Sequence, residues 1–126
     1  ALVAEDSITA SIFLARLLEQ RGFLVRTVER AAEMHAELAR DDWALVCVDV
    51  ELPDARGRSH LVAVRDALER SAGPSGPPVL VALARDREDD AEAEAAGISR
   101  VLRKPFDREA LGRLLDRAGL DARERA

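Results

Sequence analysis

The sequence predicts a single α/β domain: a three-layer, doubly wound sandwich with five helices flanking a five-stranded parallel sheet. Three observations carry that prediction. Short apolar runs alternate with amphipathic stretches five times along the chain. One of those runs, Ala44-Leu-Val-Cys-Val48, is apolar at every position, as in a strand buried on both faces of a parallel sheet. The length of 126 residues suits one domain with a core of its own, needing neither disulfides nor a metal staple.

Each element has its own signal. Residues 2–4 form a short apolar first strand that runs into the acidic pair Glu5-Asp6. Ser7 can cap a helix over 8–21, with Phe13, Leu14, Leu17 and Leu18 as its apolar stripe and Gly22 as its stop. A second strand is expected over 23–28, a second helix over 31–40 and a third strand over 44–49. The third helix spans 60–70, with Leu61, Val64 and Leu68 at helical spacing. Residues 71–78, with three Pro and two Gly, read as a surface connection without chemistry. A fourth strand (79–83) leads to a fourth helix (88–96), whose first-turn acids suit the helix dipole and which Gly97 ends. The fifth strand covers 99–102. Asp107 can cap the last helix, with Phe106 and Leu111 placed as a hydrophobic staple.

Composition bounds the function. Apolar residues make up 48% and charged residues 34%, the balance of a soluble globular domain. The apolar runs are far shorter than a membrane span, and no signal-peptide pattern is visible. A net charge of −5 argues against sequence-independent nucleic-acid binding. The single cysteine, Cys47, lies inside an apolar run and reads as a small buried hydrophobe, which fits a cytoplasmic setting. The chain starts at Ala1, already within its first strand, and so reads as a segment of a longer polypeptide.

Right-handed crossovers with the flavodoxin-like strand order 2-1-3-4-5 set the first and third strands side by side at the switch point. Glu5, Asp6 and Asp49 then meet in one crevice at the carboxyl ends of the strands. Carboxylates crowded in this way either hold a raised pKa or bind a cation, and an all-oxygen set suits Mg²⁺. Lys104, after the fifth strand, can supply a point charge for a phosphoryl group. Taken singly, Asp49 reads equally as a strand-terminating Asp, Glu5-Asp6 as capping acids and Lys104 as a surface lysine. Trp43 lies six residues before Asp49, about 20 Å away along a strand, and reads as core.

Leu-Val-Ala-Glu5-Asp6-Ser7, Val-Cys-Val-Asp49-Val-Glu51-Leu-Pro53 with Gly57, and Leu-Arg-Lys104-Pro105-Phe106 together resemble the motifs of two-component response-regulator receiver domains. The resemblance covers nearly the whole chain and assigns 1–118 to a receiver, with 119–126 a charged tail or the start of a linker. It implies that Asp49 accepts a phosphoryl group from a histidine kinase or histidine phosphotransfer protein. Asp6, Asp49 and the main-chain carbonyl of Glu51 would ligate Mg²⁺, Glu5 would help through water, and Lys104 would pair with phosphoryl oxygens. It implies a cis peptide at Lys104-Pro105 and a role in signalling rather than as an independent enzyme. The acidic pair in the form Glu-Asp points to a hybrid sensor kinase or a multidomain regulator as the parent.

Two positions depart from the family. Leu83 stands where receivers carry the Ser or Thr that binds the phosphoryl group, and Val101 replaces the aromatic coupled to it. Glu51 and Arg85, two residues beyond Asp49 and Leu83, fall on opposite lips of the crevice. They can pair as a gate, Arg85 can replace the lost hydroxyl donor, or both can be solvated loop charges. Two functions follow from different classes: a phosphoacceptor with an atypical output switch, or a pseudo-receiver serving as a phosphorylation-independent interaction or ligand-binding module. Leu83 turned into the core favours the first, and Leu83 filling the phosphoryl position favours the second. Arg100, Arg103, Arg108, Arg113 and Arg117 read as a basic partner face or as ordinary helix charges among Asp107, Glu109 and Asp116. Self-association through the fourth helix, fifth strand and fifth helix is a further expectation.

Overall fold

The computed structural model describes residues 1–74 and 76–120. The main sheet contains β1 (Leu2–Ala4), β2 (Arg26–Val28), β3 (Leu45–Asp49), β6 (Val79–Ala84) and β7 (Val101–Arg103). They lie in the order β2-β1-β3-β6-β7, and every pairing is parallel. Counting only these strands, that is the expected order 2-1-3-4-5. Side chains alternate between the two faces. Val3, Leu45, Cys47, Val81 and Leu83 pack with Leu14, Leu17 and Leu18 of α1 (Ile8–Gln20) and Leu111 and Leu115 of α5 (Arg108–Arg117). Ala4, Val46, Val48 and Ala82 pack on the other face, against α2 (Ala31–Arg40), α3 (Gly57–Arg70) and α4 (Arg87–Ala95). Cys47 is fully buried, as its apolar run predicts.

The differences from expectation have local causes. Only residues 26–28 of the second run pair as strand, because Phe23 closes the turn that follows α1. Gly22, at φ 96°, turns the chain, and the Phe23 N–H returns to the Leu18 carbonyl at 3.1 Å. Leu24 then projects into solvent at 90% exposure. The loop after Asp49 folds into a two-stranded antiparallel hairpin, β4 (Glu51–Leu52) and β5 (Ala55–Arg56), and α3 starts at Gly57, three residues before the expected position. Two-residue strands carry too little pattern to be read in advance.

Ser7, Asp86 and Asp107 cap α1, α4 and α5 with their own side chains. Helices α2 and α3 have no such local cap. Asp54, at the hairpin turn, accepts the N–H groups of Ala31 and Ala32 at 2.8 and 3.0 Å. Glu92 of α4 accepts the Arg58 N–H at 2.7 Å. Each of these two helix starts is therefore held by another element. The C-terminal end is partly integrated: the buried Leu120 donates its N–H to the Leu115 carbonyl at 2.9 Å. The rest of the charged tail expected from 119 lies outside the described residues. Among the described residues no helix is long and apolar enough to cross a membrane.

Candidate functional site

The sheet order places the ends of β1 and β3 together, and the residues that end them are acidic. Glu5 and Asp49 are almost fully buried while Asp6 is exposed, and each offers an oxygen within 4.8 Å of the others. Lys104, which follows β7, reaches across with Nζ to Glu5 Oε1 at 2.6 Å and Asp49 Oδ2 at 3.0 Å. The peptide bond after it, Lys104-Pro105, is cis. The four predicted residues thus form one constellation above a crevice of about 230 Å³.

Its electrostatics are unbalanced. Burial raises the Glu5 pKa above the usual carboxylate range; Asp49 adds to the effect and Lys104 opposes it. Burial works to discharge Lys104, but Glu5 and Asp49 outweigh it and hold the ammonium charged. One lysine faces three carboxyl groups, and Glu5 Oε2 is buried without a hydrogen-bond partner. An acceptor-only, oxygen-rich cluster with one orphaned oxygen fits a hard divalent cation that keeps part of its water shell.

The backbone behind Asp49 is held at successive positions. The Val50 N–H donates to the Leu83 carbonyl at 3.2 Å and the Gly57 N–H to the Val50 carbonyl at 3.0 Å. The Glu51 N–H donates to Asp49 Oδ1 at 3.2 Å. His60, buried in the first turn of α3, lies with Nε2 3.1 Å from the Asp49 carbonyl oxygen. Sequence reasoning passed over this residue as the start of a helix; its signal was a histidine at the head of the apolar row His60–Val64–Leu68.

Glu51 and Arg85 do meet, with Nη2 2.5 Å from Oε2, and Arg56 approaches Glu51 from the hairpin at 3.8 Å. Arg85 also clasps Asp89 of α4: its Nε and its backbone N–H reach Asp89 Oδ2 at 3.0 and 2.9 Å. Burial would raise the Asp89 pKa, but Arg85 overcomes it and holds the group below the usual range. Asp89 is buried and Glu51 is 40% exposed, so the Asp89 contact is the firmer half of the clasp.

Leu83 is 1% exposed and points into the core with α1 and α5, while Val101 packs on the opposite face of the sheet. Neither lines the crevice. Among the arginines of the expected basic face, Arg103 pairs with Asp90 and Arg113 with Glu109. Trp43 is half-buried at the far end of the sheet and donates Nε1–H to the Glu37 carbonyl at 3.0 Å. Beside the crevice, Phe13 and Phe106 stack with ring centroids 5.7 Å apart. Ile8, Ile12 and Phe13 are 68%, 47% and 44% exposed.

Comparison with known proteins agrees with this geometry. The chain is 32% identical over 106 residues to the swarming motility regulation protein RssB of Serratia marcescens, covering 83% of this chain and 46% of RssB. It therefore spans about half the length of that curated relative. Its backbone superposes on the chemotaxis response regulator CheY4 of Vibrio cholerae with a TM-score of 0.75 and 25% identity, covering 92% of this chain and 94% of CheY4. The receiver domain of sensor histidine kinase PA1611 from Pseudomonas aeruginosa, solved with a magnesium ion in its active-site cleft, matches at TM-score 0.76 and 23% identity, covering 92% and 93%. The response regulator receiver domain model matches residues 1–116, and the chain belongs to that family: a signalling module of two-component phosphorelay systems.

Proposed function

We propose that this chain is an active phosphoacceptor: Asp49 takes a phosphoryl group from the phosphohistidine of a histidine kinase or histidine phosphotransfer protein. The observation that carries the reading is Lys104 Nζ bridging Glu5 and Asp49 above three clustered carboxyl groups. In the transfer, a carboxylate oxygen of Asp49 forms a bond to phosphorus as the P–N bond breaks, and the electron pair of that bond leaves with the imidazole. Asp6, Asp49 and the Glu51 carbonyl would hold Mg²⁺, with Glu5 helping through water. When bound, Mg²⁺ would neutralise charge on the transferring group. Lys104 pairs with the phosphoryl oxygens. The magnesium ion in the PA1611 receiver supports this assignment. The receiver unit spans 1–118, works in the cytoplasm and is part of a hybrid kinase or multidomain regulator.

The exposed apolar edge of Ile8, Ile12 and Phe13 offers the phosphodonor protein a docking surface beside the crevice. Self-association through α4, β7 and α5 is a separate proposal, and its check is molecular mass in solution with and without phosphorylation. Arg85 takes over the donor role that Leu83 has lost. The core placement of Leu83 favours this reading because it leaves the crevice free. The pseudo-receiver reading draws on the same two departures, Leu83 and Val101. Intact-protein mass after incubation with acetyl phosphate and Mg²⁺ separates the two. A metal-dependent gain of one phosphoryl group, absent in Asp49→Asn, is expected. No gain in a folded, Mg²⁺-binding protein moves the assignment to the pseudo-receiver.

A further inference from the structure

His60 is the one polar side chain in the row His60–Val64–Leu68 that α3 turns inward, and it is 4% exposed. A carbonyl can only accept, so its contact with the Asp49 oxygen requires the Nε2–H tautomer. Nδ1 is then a bare acceptor, and it is buried with no partner. A leucine would fill the row without leaving an orphaned nitrogen but would take the donor from the Asp49 carbonyl, so filling the row alone does not account for the histidine. What the imidazole adds is a donor aimed at the phosphoacceptor backbone.

The peptide group between Asp49 and Val50 is planar. Its oxygen is held by His60 and its N–H by the Leu83 carbonyl. Holding both edges of that plane fixes the backbone on which the Asp49 carboxylate stands. It also fixes the direction in which the chain leaves towards Glu51. We propose that His60 is a positioning residue for phosphoryl transfer, acting through the Asp49 carbonyl, a role that rests on the phosphoacceptor reading above.

The test compares His60→Leu, which keeps bulk and removes the donor, with His60→Gln, whose side-chain N–H₂ restores one. If His60→Leu does not fold, His60→Met serves the same comparison. Two readouts are taken: amide hydrogen exchange at Val50 and Glu51 by NMR, and the rate of phosphoryl uptake from acetyl phosphate with Mg²⁺. In His60→Leu, exchange about tenfold faster and uptake about tenfold slower are expected, with recovery of both in His60→Gln. A leucine variant that matches wild type in both readouts, or a glutamine variant that behaves like it, overturns the proposal. If the wild type takes up no phosphoryl group, the phosphoacceptor reading fails and the role in transfer with it, while the exchange comparison still decides whether His60 holds the Asp49 backbone.

Discussion

At the scale of single residues, the site is a problem of charge. Glu5 holds a raised pKa because it is buried beside Asp49. A raised acid is at its most stabilising below its unfolded value of 4.5, and that contribution is lost as pH rises through the folded value near 8. His60 works the other way, since burial lowers its pKa and favours the folded state above about pH 6.5. Comparing wild type with Glu5→Gln cancels the histidine. Without metal, wild type is expected to lose about 1–3 kcal/mol relative to Glu5→Gln between pH 5 and 8. Millimolar Mg²⁺ should largely remove that loss by holding the carboxylates ionised. Urea titrations at both pH values, with and without Mg²⁺, measure it; parallel curves for the two proteins would mean the site is not strained. The acids and Lys104 were legible in the sequence because each ends a strand, and strand ends converge by topology alone. His60 was not legible, because its partner is a main-chain oxygen that no side-chain pattern reveals.

At the scale of elements, strands and helices were legible from apolar runs and local caps, whereas the contacts that hold α2 and α3 at their starts were not. Asp54 and Glu92 bind helix-start N–H groups 23 and 34 residues away in sequence, so proximity arises only once the fold exists. The two N–H groups of α2 hold the Asp54 pKa below its ordinary 3.8. That contribution is present above pH 3.8 and lost as pH falls through the lower folded value. Asp54→Ala should therefore lower the melting temperature by several degrees at neutral pH, with the deficit closing in strong acid. Calorimetry across that range checks it, and a deficit that persists in acid would point to packing rather than capping. Gly97 ends α4 at φ 80°, where an added Cβ would lie 2.6 Å from Arg65 Nη1. The same Nη1 donates to the Ala96 carbonyl at 2.6 Å. Gly97→Ala combines backbone strain with the displacement of that arginine and should cost about 1–2 kcal/mol in a urea titration.

At the scale of the whole molecule, the question is how occupancy at Asp49 changes a surface a partner can read. Leu83 and Val101 face opposite sides of the sheet, so no path runs through them as a pair. A different connection is present. Arg85 spans the crevice mouth to Glu51 and is joined to the buried Asp89 in the first turn of α4. A phosphoryl group on Asp49 replaces the single charge of the carboxylate with a dianion whose oxygens lie nearer the guanidinium, whose partner Glu51 is half-solvated and only weakly bound. The stronger anion should draw Arg85 off Glu51. Because the Arg85 side chain also holds Asp89 through Nε, its displacement loads the start of α4. Phosphorylation is therefore expected to change hydrogen exchange most over Arg87–Ala95 in the wild type. Arg85→Ala should still take up the phosphoryl group on Asp49, more slowly by several-fold, while exchange over α4 no longer responds. If α4 responds equally in the variant, the signal leaves by another route and Arg85 serves the transfer step alone. If α4 is silent in both, the phosphoryl group changes the local charge without moving the helix, and a partner must read the crevice itself.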